Sequence, residues 1–477
     1  MSAFLVLDGG SSKIKGIICD EKGAILSSCE ISLLPVYHQD RVEYDAFEVL
    51  KAHLSVLSSL LSSWKGEITS FCLTGQRSSF LFIDENGKPL TPLVSWQDGR
   101  ARALLESVDI SQEEVNCITG LYKTPYYSAS KAAWFLKHDS SLSSRQPGKN
   151  IFFASLPTYL LFHLSRGSFL AIDPTFAQRT LLFDAGSGKW SEKLCDAFGL
   201  DPRILPEIIP TFCPSAVNIN WEGRKLPFHT MAGDQQAAAL PFLINDAAVS
   251  NFGTGAFILT PCEDKFIRIP GILTSVSNFS GGKMSYMLEG TVNSCGTFLK
   301  WLEIKLGLPV KTDAISSLPA SARRLFALPA IGGIGSPYWD YSTRTTFSGF
   351  TPETASEDLV RASLEGIVFL LNESFTLMRA ERNVSKIMVY GGLSLIDYLP
   401  AFQSDITGLK SLRPAQKEAT ALGLAHFSAS MLGFDCSGWD LLSVEKEFSP
   451  RLSREEASIL ISEWRDFFNS VRKVYNK

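Results

Sequence analysis

Residues 4–13 read FLVLDGGSSK: four apolar residues, an acid, two glycines, two serines and a lysine. A short apolar run that ends in Asp8 and breaks into Gly9-Gly10-Ser11-Ser12-Lys13 reads as a strand entering a tight turn. Ile14–Cys19, closed by Asp20-Glu21-Lys22-Gly23, reads as the returning strand. The spacing predicts a hairpin with a glycine-rich tip. Glycines let a backbone approach a phosphate, and successive free N–H groups form an anion-binding nest. A carboxylate at the strand end suits a magnesium ion whose other positions are filled by water. The same residues also suit an ordinary hairpin turn.

The pattern recurs in the middle of the chain. Ala247–Asn251 leads into Phe252-Gly253-Thr254-Gly255, then Ala256–Thr260 and a charged turn at Glu263-Asp264-Lys265. Two such units about half a chain apart suggest two related halves of roughly 240 residues each. A third glycine turn, Gly391-Gly392, follows the β-rich run Lys386–Tyr390 and precedes a helix from about Ile396. Three glycine turns, each at a strand end, point to a nucleotide site. Ile68–Leu73 is strand-like and ends at Thr74-Gly75-Gln76-Arg77. Glu357–Arg379 carries apolar residues at 359, 360, 364, 367, 370 and 371, the pattern of an amphipathic helix with one broad buried face. Small residues at 419, 421, 423 and 425 suit a helix packed close to another backbone. No low-complexity linker divides the halves, so a tight hinge near residues 240–247 is expected, with domains 1–243 and 244–477.

Met231-Ala232-Gly233-Asp234-Gln235-Gln236 places a carboxylate and two amides before an alanine-rich helical run. Asp234 could accept a proton from a hydroxyl, with a glutamine orienting it. Asp is equally a favoured helix N-cap, and on the residues alone the cap is preferred.

At ~100–200 residues per domain, 477 residues make two to four domains or two large ones. Hydrophobic content of 45% and charged content of 20% exclude disorder and collagen-like repeats. With 45 Lys+Arg against 49 Asp+Glu there is no sign of the basic patch a nucleic-acid binder needs. The nine cysteines are scattered singly, which reads as reduced, buried thiols rather than a disulfide framework. The N-terminus lacks a signal-peptide pattern, and no stretch approaches 18 consecutive apolar residues, so a cytoplasmic protein without membrane spans is expected. Gly186-Ser187-Gly188-Lys189 fails as a phosphate loop, because Phe183 and Trp190 stand where Gly and Ser/Thr are required. The six histidines are dispersed and read as structural.

Taken in order, these motifs resemble the FGGY carbohydrate kinases of the actin-like ATPase superfamily, over almost the whole chain. Asp8–Lys13 resembles the first phosphate motif and Asn251–Gly255 the second. Gly75-Gln76-Arg77, Asp84–Pro89 and Ser95–Arg100 are similar to the family's substrate-side segment. Pro125-Tyr126-Tyr127-Ser128-Ala129-Ser130-Lys131 through Trp134 resembles a family signature, and Gly233-Asp234-Gln235-Gln236 resembles the catalytic segment in its glycerol kinase form. Leu288-Glu289-Gly290-Thr291, Gly296, Pro337-Tyr338-Trp339-Asp340, Gly349-Phe350 through Leu364-Glu365-Gly366, Gly391-Gly392 and Phe402-Gln403-Ser404-Asp405 complete the series.

The resemblance implies an α/β fold of two actin-like (ribonuclease H-like) domains with ATP and acceptor in the cleft between them. It implies Asp234 as the base for the acceptor hydroxyl and Asp8, with Asp234, on the magnesium side. Gly10, Ser11, Ser12, Lys13, Gly253, Thr254, Gly296, Lys300, Gly391 and Gly392 would hold the nucleotide. Arg77, Ser78, Trp96, Tyr126, Asp234 and Gln235 would line the acceptor pocket. ATP and Mg2+ are the implied cofactors, a small polyol or sugar the partner, and a homodimer or homotetramer the implied assembly, although no segment marks an interface. Departures bear on the substrate. Ser78 stands where glycerol kinases carry a glutamate that holds acceptor hydroxyls, so a charge-assisted hydrogen bond is missing. Ile396 and Asp397 replace asparagines near the adenine, and Lys300 replaces a glutamine. Glycerol is the leading acceptor, with another polyol or a ketose such as xylulose or ribulose next. A non-catalytic actin-like regulator is disfavoured because both aspartates and Gly253-Thr254-Gly255 are intact.

Overall fold

A computed structural model describes residues 2–242, 246–310, 324–416 and 418–475. The expected boundary between residues 243 and 244 lies outside the described residues. The glycine-tipped hairpin is present as β1 (Ala3–Gly9) and β2 (Lys13–Asp20), antiparallel, with β3 (Ile25–Ser32) continuing the meander. After the helix α1 (Ala46–Ser63), β4 (Ser70–Gly75) returns parallel to β1. The hairpin of β5 (Phe212–Trp221) and β6 (Arg224–Gly233) then places β6 parallel to β4, and α2 (Asp234–Ala239) follows at once. The resulting sheet has the order β5-β6-β4-β1-β2-β3. β1 is apolar from Ala3 to Leu7 because the sheet is covered on both faces, as a central strand flanked by helices requires.

The second half repeats this frame. β7 (Ala247–Phe252) and β8 (Ala256–Glu263) form the second glycine hairpin, followed by β9 (Leu273–Ser280), β10 (Lys283–Val292) and α3 (Gly296–Leu306). α4 (Ser356–Glu381) leads to β11 (Lys386–Tyr390), α5 (Tyr398–Thr407), β12 (Lys410–Pro414), α6 (Ala419–Met431) and β13 (Val444–Phe448). The sheet order is β9-β10-β8-β7-β11-β12-β13. Strand for strand, β10-β8-β7-β11-β12-β13 reproduces the positions and senses of β3-β2-β1-β4-β6-β5, with a parallel trio at the centre of each sheet.

The two sheets share a core. Phe4, Val6 and Cys72 from the first, Val249, Leu259 and Met388 from the second, and the alanine-rich faces of α2 and α6 form one buried cluster. The small residues of α6 serve the close approach expected of them: a Cβ at Gly423 would lie 2.1 Å from the carbonyl oxygen of Ala237. α4 departs from its expected single face. It is buried nearly all round from Val360 to Phe375, because the sheet, the short strand Phe326–Leu328 and α5 enclose it. The edge strand β9 is finished by the first half. Thr274 N–H donates to Gly120 O at 2.9 Å, and Gln178 bonds both Thr274 O and Val276 N–H at 2.8 Å. Gln236 donates to Val276 O at 3.0 Å, and Thr211 Oγ1 accepts from Phe279 N–H at 2.9 Å. All nine cysteines are free, and two depart from the expected burial: Cys29 is half-buried and Cys117 exposed. Among the described residues no helix is long and apolar enough to cross a membrane.

Gly423→Ala gains helix propensity but drives a methyl into backbone that cannot rotate away. Equilibrium urea unfolding should show a net loss of about 1–3 kcal/mol, the usual cost of overpacking.

Candidate functional site

Register brings the predicted residues together. Gly9 pairs with Gly75, and Gly233 pairs with Gly75, so β1, β4 and β6 end level. Asp8, Gln76-Arg77-Ser78 and Asp234 therefore emerge side by side. The closeness needs glycine: a Cβ at Gly75 would lie 2.8 Å from Gly9 O. Opposite, β7 runs out into Gly253-Thr254. A cleft of about 190 Å³ separates the halves, and its lining includes Ser11, Arg77, Ser78, Trp96, Tyr126, Asp234, Gln235, Gly253 and Thr254.

Asp234 is not the N-cap of α2. Gly233 caps the helix, Asp234 occupies its first turn, and its Oδ1 accepts from Gln235 N–H at 2.8 Å. The carboxylate is 30% exposed and lies 3.3 Å from Arg77 Nε. Burial raises its pKa, and the Arg77 guanidinium opposes the rise. Arg77 also reaches across the cleft to Glu289 of β10, with both terminal nitrogens 3.3 Å from its carboxylate oxygens. Gln235 Oε1 accepts from Asn251 Nδ2 at 3.0 Å, a second link between the halves. Ser78 lies in the left-handed region, φ 64°, and its carbonyl accepts from Ser128 Oγ at 3.2 Å.

Trp96 and Tyr126 form an aromatic wall, ring centroids 5.9 Å apart. Buried Lys131 holds that wall, its ammonium donating to Ser95 O and Tyr126 O at 3.0 Å and Trp96 O at 3.3 Å. Burial pulls its pKa down to about 7. Lys131 falls inside a motif legible in the sequence, but its part in holding the wall does not show there. Glu289 and Trp339 also lie in legible motifs without an assigned part. Arg179 gives no signal at all.

Asp8 is half-buried and does not line this cavity. Its Oδ1 is buried without a hydrogen-bond partner, and burial, then Asp234 and Glu418, push its pKa up to about 7, against the pull of Lys15 and Lys13. A partnerless carboxylate oxygen repelled by a second carboxylate fits a divalent cation. Among the described residues no larger cluster of metal-ligating side chains occurs, and magnesium is commonly held by one or two carboxylates with waters completing its shell. Lys13 is turned into a surface pair with Glu30 at 2.8 Å, whereas Lys15, the cross-strand partner of Asp8, is only 17% exposed.

Gly10, Ser12, Lys13, Gly296, Lys300, Gly391 and Gly392 do not line this cavity. Gly296 nonetheless opens α3 directly against the second glycine turn: its N–H donates to Gly253 O at 2.9 Å, and a Cβ there would lie 2.7 Å from that oxygen. A Cβ at Gly391, φ 90°, would lie closer still, 2.4 Å from Phe252 O, and Gly392 faces open space. Lys300 is exposed one turn along α3 from Gly296. Ile396 is buried, and the Asp397 carboxylate is engaged by Arg413 at 2.7 Å and Lys446 at 2.6 Å.

Two duplicated actin-like halves with acids on one wall and glycine turns on the other define a class: phosphotransferases that close around a nucleotide and a small acceptor. Residues 3–241 match the N-terminal domain model of the FGGY family of carbohydrate kinases, and residues 248–432 match its C-terminal domain model. The glycerol kinase of Shewanella woodyi is 31% identical over 97% of both chains, and that of Shewanella piezotolerans 30% identical over 97% of this chain and 98% of its own. Among solved structures, Plasmodium falciparum glycerol kinase with ADP superposes with TM-score 0.89 at 24% identity, covering 99% of this chain and 98% of its own. Xylulose kinase from Lactobacillus acidophilus superposes with TM-score 0.87 at 20% identity, covering 100% and 99%. The chain belongs to the FGGY family of carbohydrate kinases and is an ATP-dependent sugar or polyol kinase.

The Asp8 geometry has a pH consequence. A folded-state pKa of about 7 against an ordinary 3.8 means that the folded protein binds the extra proton, so stability falls as pH rises through that window. Asp8→Asn should gain stability relative to wild type between those two pH values. Added Mg2+ should raise the wild-type melting temperature above pH 7 and leave the variant unmoved; scanning calorimetry reads both.

Proposed function

We propose that the protein transfers the γ-phosphoryl group of ATP to a hydroxyl of a small polyol or sugar, with glycerol, giving glycerol 3-phosphate, as the leading acceptor. The observation that carries this reading is Asp234, oriented by Arg77 on one wall of the cleft and facing Gly253-Thr254 on the other. Asp234 takes the acceptor proton as the hydroxyl attacks. Arg77, Gln235 and Ser78 meet acceptor hydroxyls, while Trp96 and Tyr126 cover the carbon chain. Ser11 and the N–H groups of Gly10, Ser12 and Thr254 cradle the phosphates, Gly253, whose own N–H is bonded to Gly255 O at 2.9 Å, lets them approach the turn, and Gly296, Gly391 and Gly392 let the nucleotide lie close to the backbone, with Lys300 at the margin. Lys13 is the weakest member of this set, since Glu30 already holds it. Phosphoryl transfer passes through a loose, charge-spread transition state, so positioning and oriented donors supply most of the catalysis. Asp8, with Asp234, would hold Mg2+, which when bound neutralises phosphate charge. Residues 1–243 thus carry the acceptor side and base, and 244–477 the nucleotide side, in a cytoplasmic enzyme working as a dimer or tetramer.

Ser78 favours a second reading, in which the room left by a short side chain accepts a longer polyol or a ketose such as xylulose or ribulose. The names of the curated relatives favour glycerol. An ADP-release assay with Mg-ATP over glycerol, erythritol, longer alditols, xylulose, ribulose and gluconate decides between them by the highest kcat/KM. Asp234→Ala should lower acceptor-dependent release by on the order of 10²–10⁴-fold, the usual weight of a general base, while ATP binding by calorimetry persists. Near wild-type turnover by that variant would refute the mechanism.

A further inference from the structure

Glu289 lies on β10 of the second half, 1% exposed, yet all its ionic partners belong to the first half. Both its oxygens accept from Arg77, and Oε2 also accepts from Arg179 and, at 2.8 Å, from Ser275 Oγ. Arg77 divides its planar guanidinium: the two terminal nitrogens face Glu289 and Nε faces Asp234 Oδ1 at 3.3 Å. Its stem lies across Gly233, where a Cβ would come within 2.7 Å of Arg77 Cγ and Cδ. A guanidinium is a rigid fork, so fixing its outer edge fixes the direction of Nε. Two guanidiniums and two carboxylates leave this buried set neutral. Although burial pushes the Glu289 pKa up, Arg179 and Arg77 hold it down at about 2, so it stays ionised.

We infer that Glu289 is a positioning residue: from the opposite half of the molecule it aims Arg77 at Asp234 and at the acceptor, so that the carboxylate of the base is set only when the halves are docked. The inference rests on the proposed role of Asp234, but part of it can be tested without activity. Glu289 and Arg179 both line the cleft, but the acceptor capacity of Glu289 is taken up by Arg77, Arg179 and Ser275, so its effect on the base passes through Arg77, and that of Arg179 through Glu289.

Glu289→Gln keeps shape and removes the charge, leaving two guanidiniums against one carboxylate. Its crystal structure should show Arg77 Nε withdrawn beyond the 3.3 Å that separates it from Asp234 Oδ1 in the wild type. Acceptor kcat should fall on the order of 10- to 100-fold and acceptor KM rise, the cost of misplacing a reacting group by about 1 Å, while KM for ATP stays within about twofold. Because the single variant will also be less stable, Glu289→Gln/Arg179→Met, which removes a cation along with the anion, separates the two effects. Its melting temperature should recover while acceptor turnover stays at the level of the single variant. Turnover that recovers with the melting temperature, or an unmoved Arg77 in the crystal, overturns the inference. If wild type phosphorylates none of the acceptors, the kinase reading fails on its own, and the position of Arg77 still decides the role of Glu289.

Discussion

Three strands ending level are the constraint on which the cleft depends. Gly9, Gly75 and Gly233 stand in one row across β1, β4 and β6, and none leaves room for a side chain. Peptide packs on peptide at Gly75, and the stem of Arg77 packs on Gly233. Asp8, Arg77, Ser78 and Asp234 follow directly from that row, because open α/β sheets present ligands at the carboxyl ends of parallel strands. The second half obeys the same rule. Asn251 pairs with Tyr390, and Gly391 presses on Phe252 O where β7 and β11 end.

The two halves share a scaffold but not a role. The first contributes the carboxylates of Asp8 and Asp234 and the cations Arg77 and Arg179. The second contributes glycine-rich backbone and one buried carboxylate, Glu289. A duplicated frame has thus been loaded asymmetrically, with fixed charge on one wall and backbone amides on the other. The buried Arg77–Glu289–Arg179 set joins the walls, and burial of this kind does not tolerate loss of the carboxylate alone, since Arg179 would be left as an uncompensated charge.

The frame was legible because its strands are short, apolar and punctuated by glycine. The hairpins at Asp8–Lys13 and Phe252–Gly255, the strand Lys386–Tyr390 and the close-packed helix around Gly423 could all be read locally. Burial of α4 on all sides could not, since it depends on elements far along the chain. Asp234 read alone looked like a helix cap; register with Gly75 is what moves it to the cleft floor. Lys13 looked like the phosphate-facing cation, yet Glu30 on β3 holds it and Lys15 lies across from Asp8. Arg179 and Glu289 stand 110 residues apart, and neither has a local pattern that names the other.

The side-chain amide of Gln178, bonding Thr274 and Val276 as a neighbouring strand would, completes an edge that the second sheet leaves raw. An unpaired β edge is a template for association with other chains. Domains emerge from the ribosome N-terminal first. By the time β9 is synthesised, Gly120, Gln178, Thr211 and Gln236 are already made and waiting. The order of the gene therefore acts as a chaperone for its own second half, and a swap of the two halves in sequence would expose that edge during synthesis, although every contact of the finished fold could still be drawn.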